Sequence, residues 1–197
     1  MHMSRHLKPL LLVFALIVPL SGFAAPMAYA LETQRSNVGF IFTLNKAQAK
    51  GVMPVKSADI SIDLASLQRS SVDVTVDVTL AKTGFFFATE ALKGASVLNA
   101  KQFKTIRFVS TRVRLNGAGR LSDGAKIDGN LTIRGVTRPV TLNAALFRQA
   151  GSAAGDLSKL GFKLTGRISR AAFGAAGYKD IVDDTVLIDI LARVTKR

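Results

Sequence analysis

The sequence predicts an all-β domain, a sandwich or up-and-down barrel of about eight antiparallel strands with one short helix. Three observations carry this. Apolar residues recur with a period of two along most of the chain, turn residues punctuate the periodic runs, and only the stretch from Gly84 to Asn99 departs from the pattern. The clearest run sets Val72, Val74, Val76, Val78 and Leu80 against Ser71, Asp73, Thr75, Asp77 and Thr79. Successive strand side chains point to opposite faces, so such alternation builds one dry face and one wet one.

Taken in order, the chain opens on a leader. Arg5 and Lys8 supply positive charge, Leu10 to Phe23 an apolar core broken by Pro19 and Gly22, and Ala28-Tyr29-Ala30 a small-x-small cleavage site. The apolar stretch spans about 14 residues, short of the roughly 20 that cross a bilayer as a helix. A secretory signal peptide, residues 1–30, cleaved after Ala30 is therefore expected, with residues 31–197 forming one domain that starts at Leu31. No Cys follows the site, which excludes a lipid-anchored lipoprotein. In a Gram-negative host such a leader directs the protein to the periplasm.

The strands come next. Val38, Phe40, Phe42 and Leu44 alternate with Gly39, Ile41 and Thr43; Ala58, Ile60, Ile62 and Leu64 alternate with Ser57, Asp59, Ser61 and Asp63. Ile106 and Phe108 begin a run that changes phase near Ser110 before Val113 and Leu115, consistent with a bulge. Ile127, Leu131 and Ile133 share a face with Gly129, and Val140, Leu142, Ala144 and Leu146 follow. Leu160, Phe162, Leu164 and Ile168 share a face with Gly166, and Val186 to Val194 closes the series. Glycines on these inner faces mark sharp bends or interior space. Turns are expected at Asn116-Gly117-Ala118-Gly119, Asp123-Gly124, Arg134-Gly135 and Gly151 to Gly155. Between Gly84 and Asn99, Ala88, Ala91, Leu92 and Ala95 suit a short helix. No linker or repeat divides the chain.

Composition narrows the chemistry. The chain has no Cys and no Trp, and both histidines, His2 and His6, lie in the leader. Cys nucleophiles, disulfides, zinc fingers and His-based triads lack their residues. His is also the side chain whose ordinary pKa suits proton transfer at neutral pH. Glu32 and Glu90 are the only glutamates, and the Asp73–Asp77 pair on one wet strand face reads as surface charge. The expectation is a protein that is not an enzyme, with no cofactor and no metal. Net charge is +14 overall and +12 after Ala30. Arg107, Arg112, Arg114 and Arg120 form the densest basic group, suited to an anionic membrane surface. No nucleic-acid-reading motif accompanies it.

One segment is more specific. Gly129-Asn130-Leu131-Thr132-Ile133-Arg134-Gly135-Val136-Thr137-Arg138-Pro139-Val140 resembles the signature of the YceI-like polyisoprenoid-binding proteins. Weaker matches follow the family's order: Ser36-x-Val38-x-Phe40, Thr83-Gly84 followed by Leu92, Ile106-x-Phe108-x-Ser110-Thr111, and Ile168-x-Arg170-x-x-Phe173-Gly174. The resemblance implies a lipocalin-like antiparallel β-barrel, secreted, with a long isoprenoid chain in its interior, and it admits a homodimer. An eight-stranded barrel can hold one slim ligand where its inner residues leave room. Departures from the family pattern include Leu44 and Ala91 where histidines are usual, and Phe103-Lys104 where a Tyr-Pro pair is usual. They bear on the ligand's headgroup.

The candidate ligand-binding residues follow from both readings. Phe40, Phe42, Phe108 and Phe162 should form wall, and Leu92 and Phe103 are further ligand-binding candidates. Phe85, Phe86 and Phe87 form an end plug, a pocket mouth or an exposed contact. Phe173 and Tyr178 sit in a Gly/Ala-rich loop that is an end cap or part of the entrance. Arg134, Arg138 and Arg170 are headgroup candidates, since guanidinium forks suit pyrophosphate or carboxylate. The alternatives for Arg134 and Arg138 are solvated charges beside a tight turn, and for Arg170 a pairing with Asp180 or Asp183. The leading expectation is a periplasmic carrier of an isoprenoid or similar long-chain lipid. The other is an interaction protein whose barrel is filled by its own side chains. Interior volume separates them.

Overall fold

In the computed structural model, which describes residues 25–117, 123–151, 153 and 155–197, the described residues form eleven strands and one α-helix. The strands are β1 (Met27–Leu31), β2 (Asn37–Leu44), β3 (Ala47–Met53), β4 (Val55–Ile62), β5 (Ser71–Asp77), β6 (Lys82–Thr83), β7 (Thr105–Leu115), β8 (Ala125–Ile133), β9 (Val136–Arg148), β10 (Lys159–Ser169) and β11 (Val182–Lys196). Helix α1 spans Phe86–Lys93. Every pairing is antiparallel, and the order β1-β4-β5-β7-β8-β9-β10-β11 returns to β1, closing an eight-stranded barrel. Closure removes the open edges that an antiparallel sheet otherwise leaves.

The first two staves of the barrel are each made of two strands. β11 pairs with β1 at its C-terminal end and with β2 along Val182–Leu191. β4 pairs with β1, and β3 with β2. Pro54 divides β3 from β4, as expected of a residue with no N–H to give the ladder. Its carbonyl accepts the Asp77 N–H at 2.9 Å, which keeps β5 attached at the bend. The sheet order ends at β6, two residues long, which pairs with Gly51 and Val52 of β3.

Most expected runs lie where the alternation puts them. The phase change near Ser110 is a register shift between Ser110 and Arg112, and the Ser110 hydroxyl accepts the Val72 N–H at 2.8 Å. Arg134 and Gly135 both have positive φ and form the two-residue β8–β9 turn. Two differences have local causes. The Ser71–Leu80 run stops pairing at Asp77, whose carboxylate accepts the Thr79 N–H at 2.8 Å and turns the chain. Val78 stays buried, but Leu80 is exposed. Strands β1 and β3 carry weak alternation. β3 buries only Ala49, Gly51 and Met53, and the turn before it uses Asn45 and Lys46 at positive φ with no glycine. The short helix lies inside the Gly84–Asn99 stretch, as expected, and Gly94 to Asn99 continues as turns. Within the expected turns, Ala118, Gly119, Ser152 and Ala154 lie outside the described residues, as does Arg120.

Strand β1 begins at Met27, upstream of Ala30. Its Tyr29 is 0% exposed and packs with Ile60, Ile62, Leu160 and Val194. This cluster forms the floor of the barrel. A second cluster, around Val78, Leu98, Leu131 and Phe173, lies near the α1 end.

Candidate functional site

The barrel interior is open. A cavity of about 980 Å³ runs from Leu31, Ser36, Leu67 and Ser70 near the floor to Asn45, Phe87 and Tyr178 at the α1 end. That volume is at the upper end for ligand pockets. Its wall is almost wholly apolar, because the inner faces of β2, β4, β5, β7, β10 and β11 contribute Val, Ile, Leu and Phe.

Small residues make the space and aromatic rings shape it. A Cβ on Gly51 would collide with the Phe40 ring, and one on Gly129 with the Phe108 ring. The tip of each ring thus occupies the space over a glycine of the neighbouring strand, where no side chain stands. Phe40 and Phe42 stack at 6.0 Å between centroids along one wall. The glycine expected to leave room at position 129 gives that room to Phe108. Gly166 has Leu142 in the corresponding place.

The cavity opens at one end. Among the described residues that line it, the exposed ones are Asn45, Phe87, Glu90, Tyr178 and Ile181, all at the α1 end. The Asn45 N–H donates to the Ile181 carbonyl at 2.8 Å, so the β2–β3 turn and the loop before β11 form one rim. Helix α1 forms the facing rim. It is tied to β6 by the Thr83 N–H donating to the Thr89 hydroxyl at 2.9 Å, and it turns Ala88, Ala91 and Leu92 toward the cavity.

Of the residues singled out in the sequence, Phe40, Phe42, Leu92, Phe108, Phe162, Phe173, Tyr178 and Phe87 line the cavity. Phe85 and Phe86 do not. They project outward, 62% and 74% exposed, and Phe87 is 85% exposed although it reaches the rim. The triplet is therefore not a plug, since no helical turn can bury three adjacent rings on one side. Phe103 packs outside, against the Arg134–Gly135 turn.

The arginines are bound to backbone. Arg134 donates to the Ala95 carbonyl at 2.7 Å and to that of Val97, and Arg138 to the Ala172 carbonyl at 2.6 Å. Neither lines the cavity, so as headgroup ligands both are displaced by a role in fastening loops. Arg170 does line it and is 8% exposed, yet it pairs with neither the Asp180 nor the Asp183 carboxylate. Its guanidinium donates to the carbonyls of Ala175, Gly177, Val182 and Asp183, gathering the rim loop around one side chain. The compensating charge is Asp184, whose carboxyl is held below its ordinary pKa by bonds from the Ser169 hydroxyl and the Ala171 N–H, with Arg170 nearby.

Surface carboxylates are similarly engaged. Asp73 takes a forked pair of bonds from Arg107, which lowers its pKa, and Asp77 caps Thr79. Asp128 is lowered first by the Thr141 hydroxyl and then by Arg114. Two members of the dense basic group thus have carboxylate partners across the strand.

Comparison with known proteins bears on this cavity. Residues 29–194 match the YceI-like domain. The chain belongs to the YceI-like family. A UPF0312 protein of Vibrio parahaemolyticus is 29% identical over 178 residues, covering 86% of this chain and 90% of that one. A UPF0312 protein of Serratia proteamaculans is 35% identical over 106 residues, covering 54% and 52%. Among solved structures, BcnA of Burkholderia cenocepacia superimposes with a TM-score of 0.72 at 22% identity, over 84% of this chain and all of that one. A polyisoprenoid binding domain from Saccharophagus degradans gives a TM-score of 0.60 at 12% identity, over 87% and 99%. At those identities the likeness is one of fold. What the YceI-like barrel adds here is the rim, which sequence reasoning assigned only in part. Asn45 and Ile181 carry no motif, and aliphatic wall residues such as Val74 and Ile190 look like ordinary core in a period-two pattern.

Proposed function

We propose that this YceI-like protein is a periplasmic carrier that holds an isoprenoid or similar long-chain lipid in its barrel, without catalysis. The observation that carries the reading is the apolar cavity of about 980 Å³ with a single described mouth. Each methylene moved from water into such a wall contributes about 0.8 kcal/mol, so a long chain binds without polar contacts. The open interior also argues against a barrel filled by its own side chains. The polyisoprenoid binding domain of similar fold supports the ligand class. Native mass spectrometry, with organic extraction of protein purified from its own host's periplasm, tests the reading. A co-purifying long-chain lipid is the expected result. Lipid-free protein that takes up no prenyl lipid would overturn it.

Exchange would occur at a membrane, through the α1 rim. Phe85, Phe86 and Phe87 together expose on the order of 450 Å² of residue surface, within the range of the largest apolar patches on soluble monomers. The +12 charge of residues 31–197 draws the protein toward anionic lipids. With Arg107 and Arg114 already paired, the contact itself would come from the rings. Raising salt should then slow association with vesicles of mixed zwitterionic and anionic lipid yet leave a bound fraction, because screening beyond about 8–10 Å spares an inserted apolar contact. Complete release by salt would mean a purely electrostatic contact.

A further inference from the structure

We propose that the leader is removed after Ala24, so that the mature chain begins Ala25-Pro26-Met27 and keeps strand β1. The inference rests on the export reading above and on the position of Tyr29 in the fold. Two small-x-small tripeptides follow the apolar core of the leader. Gly22-Phe23-Ala24 stands at its end, and Ala28-Tyr29-Ala30 lies six residues on. Both meet the requirement for small residues at the first and third positions. The sequence reading takes the second site, after Ala30; the place of strand β1 in the barrel favours the first.

Strand β1 is the stave that closes the barrel. On one side Met27, Ala28 and Tyr29 pair with Ile62, Ser61 and Ile60 of β4. On the other Tyr29, Ala30 and Leu31 pair with Lys196, Thr195 and Val194 of β11. The Ala28 carbonyl also accepts the Arg197 N–H at 3.0 Å. A chain beginning at Leu31 would lack four of the five residues of this strand. Its two neighbours would then face each other across about 9–10 Å, twice the spacing at which strands bond. Both would be left with unpaired backbone groups along the gap.

The floor would go with the strand. Tyr29 is among the largest fully buried side chains, and its hydroxyl donates to the Leu157 carbonyl at 2.9 Å, which ties the β9–β10 loop across the base. Leu31, two positions on along the same face, already lines the cavity. Without Tyr29 the lower end of the cavity opens to water, and an apolar ligand chain loses the dry surface that holds it. A cut after Ala24 leaves every one of these contacts in place, with Ala25 and Pro26 as a short lead into β1. The reaction is peptide hydrolysis by a membrane signal peptidase of the host. Water adds across the Ala24–Ala25 bond, the Ala24 carbonyl carbon takes the hydroxyl, and the Ala25 nitrogen takes the proton and leaves as the new α-amino group.

The test uses the full chain made in a Gram-negative host, with N-terminal sequencing and intact mass of the periplasmic protein. Ala-Pro-Met-Ala-Tyr is the expected N-terminus. Leu-Glu-Thr-Gln-Arg would overturn the proposal while leaving export standing, and an uncut chain starting at Met1 would overturn both. Paired variants sharpen it. Ala24→Leu should make unprocessed precursor accumulate several-fold, whereas Ala30→Leu, on the outer face of β1, should leave the N-terminus unchanged. Loss of processing in Ala30→Leu with normal processing in Ala24→Leu would also overturn it.

Discussion

The two ends of the barrel solve opposite problems. At the floor, Tyr29 is fully buried, hydrogen-bonded to a loop 128 residues away, and set in a strand paired on both sides. At the α1 rim, three phenylalanines stand in solvent at the start of a helix with no buried residue, joined to the sheet through the two-residue β6. Aromatic side chains are expensive to expose and valuable to bury. A molecule that only had to be stable would have buried both sets. The difference teaches that the floor is built for closure, while the rim leaves apolar surface where a ligand's own source could cover it.

The largest expected effect is at the floor. Tyr29→Ala should cost about 3–5 kcal/mol, as for other buried aromatics. In a domain of this size that is on the order of 10 °C in melting temperature, read by thermal unfolding. Tyr29→Phe keeps the packing and loses one hydrogen bond, about 0.5–1.5 kcal/mol. If the two variants unfolded alike, the floor would depend on the hydroxyl rather than on filling.

Next comes the clamp beneath the rim. Arg170→Met leaves four carbonyls without their donor and should destabilise by roughly 2–3 kcal/mol, since unsatisfied buried acceptors cost more than a hydrogen bond contributes. Urea titration at constant m-value would measure it. Gly51→Ala should cost about 1–3 kcal/mol by overpacking. Because the new methyl pushes the Phe40 ring into the cavity, bound-lipid occupancy by native mass spectrometry should fall with it. Stability lost without occupancy would mean that Phe40 finds room elsewhere.

The acid limb of stability is the next smaller effect. Asp73, Asp128 and Asp184 have lowered pKa values in the fold. Their contribution is therefore fully present above the unfolded value of about 3.9 and is lost as pH falls through the folded values. Beyond residue 6 no histidine titrates, so unfolding free energy should be flat from about pH 5 to 8 and fall below about 4. A step near pH 6.5 would contradict this.

At the rim the stability effect should be smallest. Phe86→Ser should shift unfolding by no more than about 0.5 kcal/mol, because an exposed ring gives the fold little. Uptake of prenyl lipid from vesicles should slow measurably, while binding of the same lipid delivered from detergent stays unchanged. A large drop in melting temperature would return the triplet to the role of plug.

Legibility followed the range of the forces. The strands from Asn37 to Leu44 and from Val182 to Lys196, the bulge at Ser110 and the Arg134–Gly135 turn were readable because alternation and turn chemistry act over a few residues. β3 was not, because its inner face is made of Ala49, Gly51 and Met53, residues chosen for what lies across from them. Nor was β1, whose alternation is too short to stand out from the leader before it.

By itself the sequence determined the fold class, the positions of most strands and the family, all of which rest on local pattern. It also set the aromatic supply, but not its use. Alternation tells which side chains share a face, and a barrel face can be filled solid or left hollow. That choice depends on how rings from one strand lie over glycines of the next, as Phe40 does over Gly51 and Phe108 over Gly129. Only the tertiary structure decided it. The same holds for the arginines, which a motif brings near a turn but which long-range geometry commits to the carbonyls of Ala95, Ala172 and Val182. It holds for Tyr29 as well, since a side chain becomes a floor only when the first and last strands, β1 and β11, meet beside it.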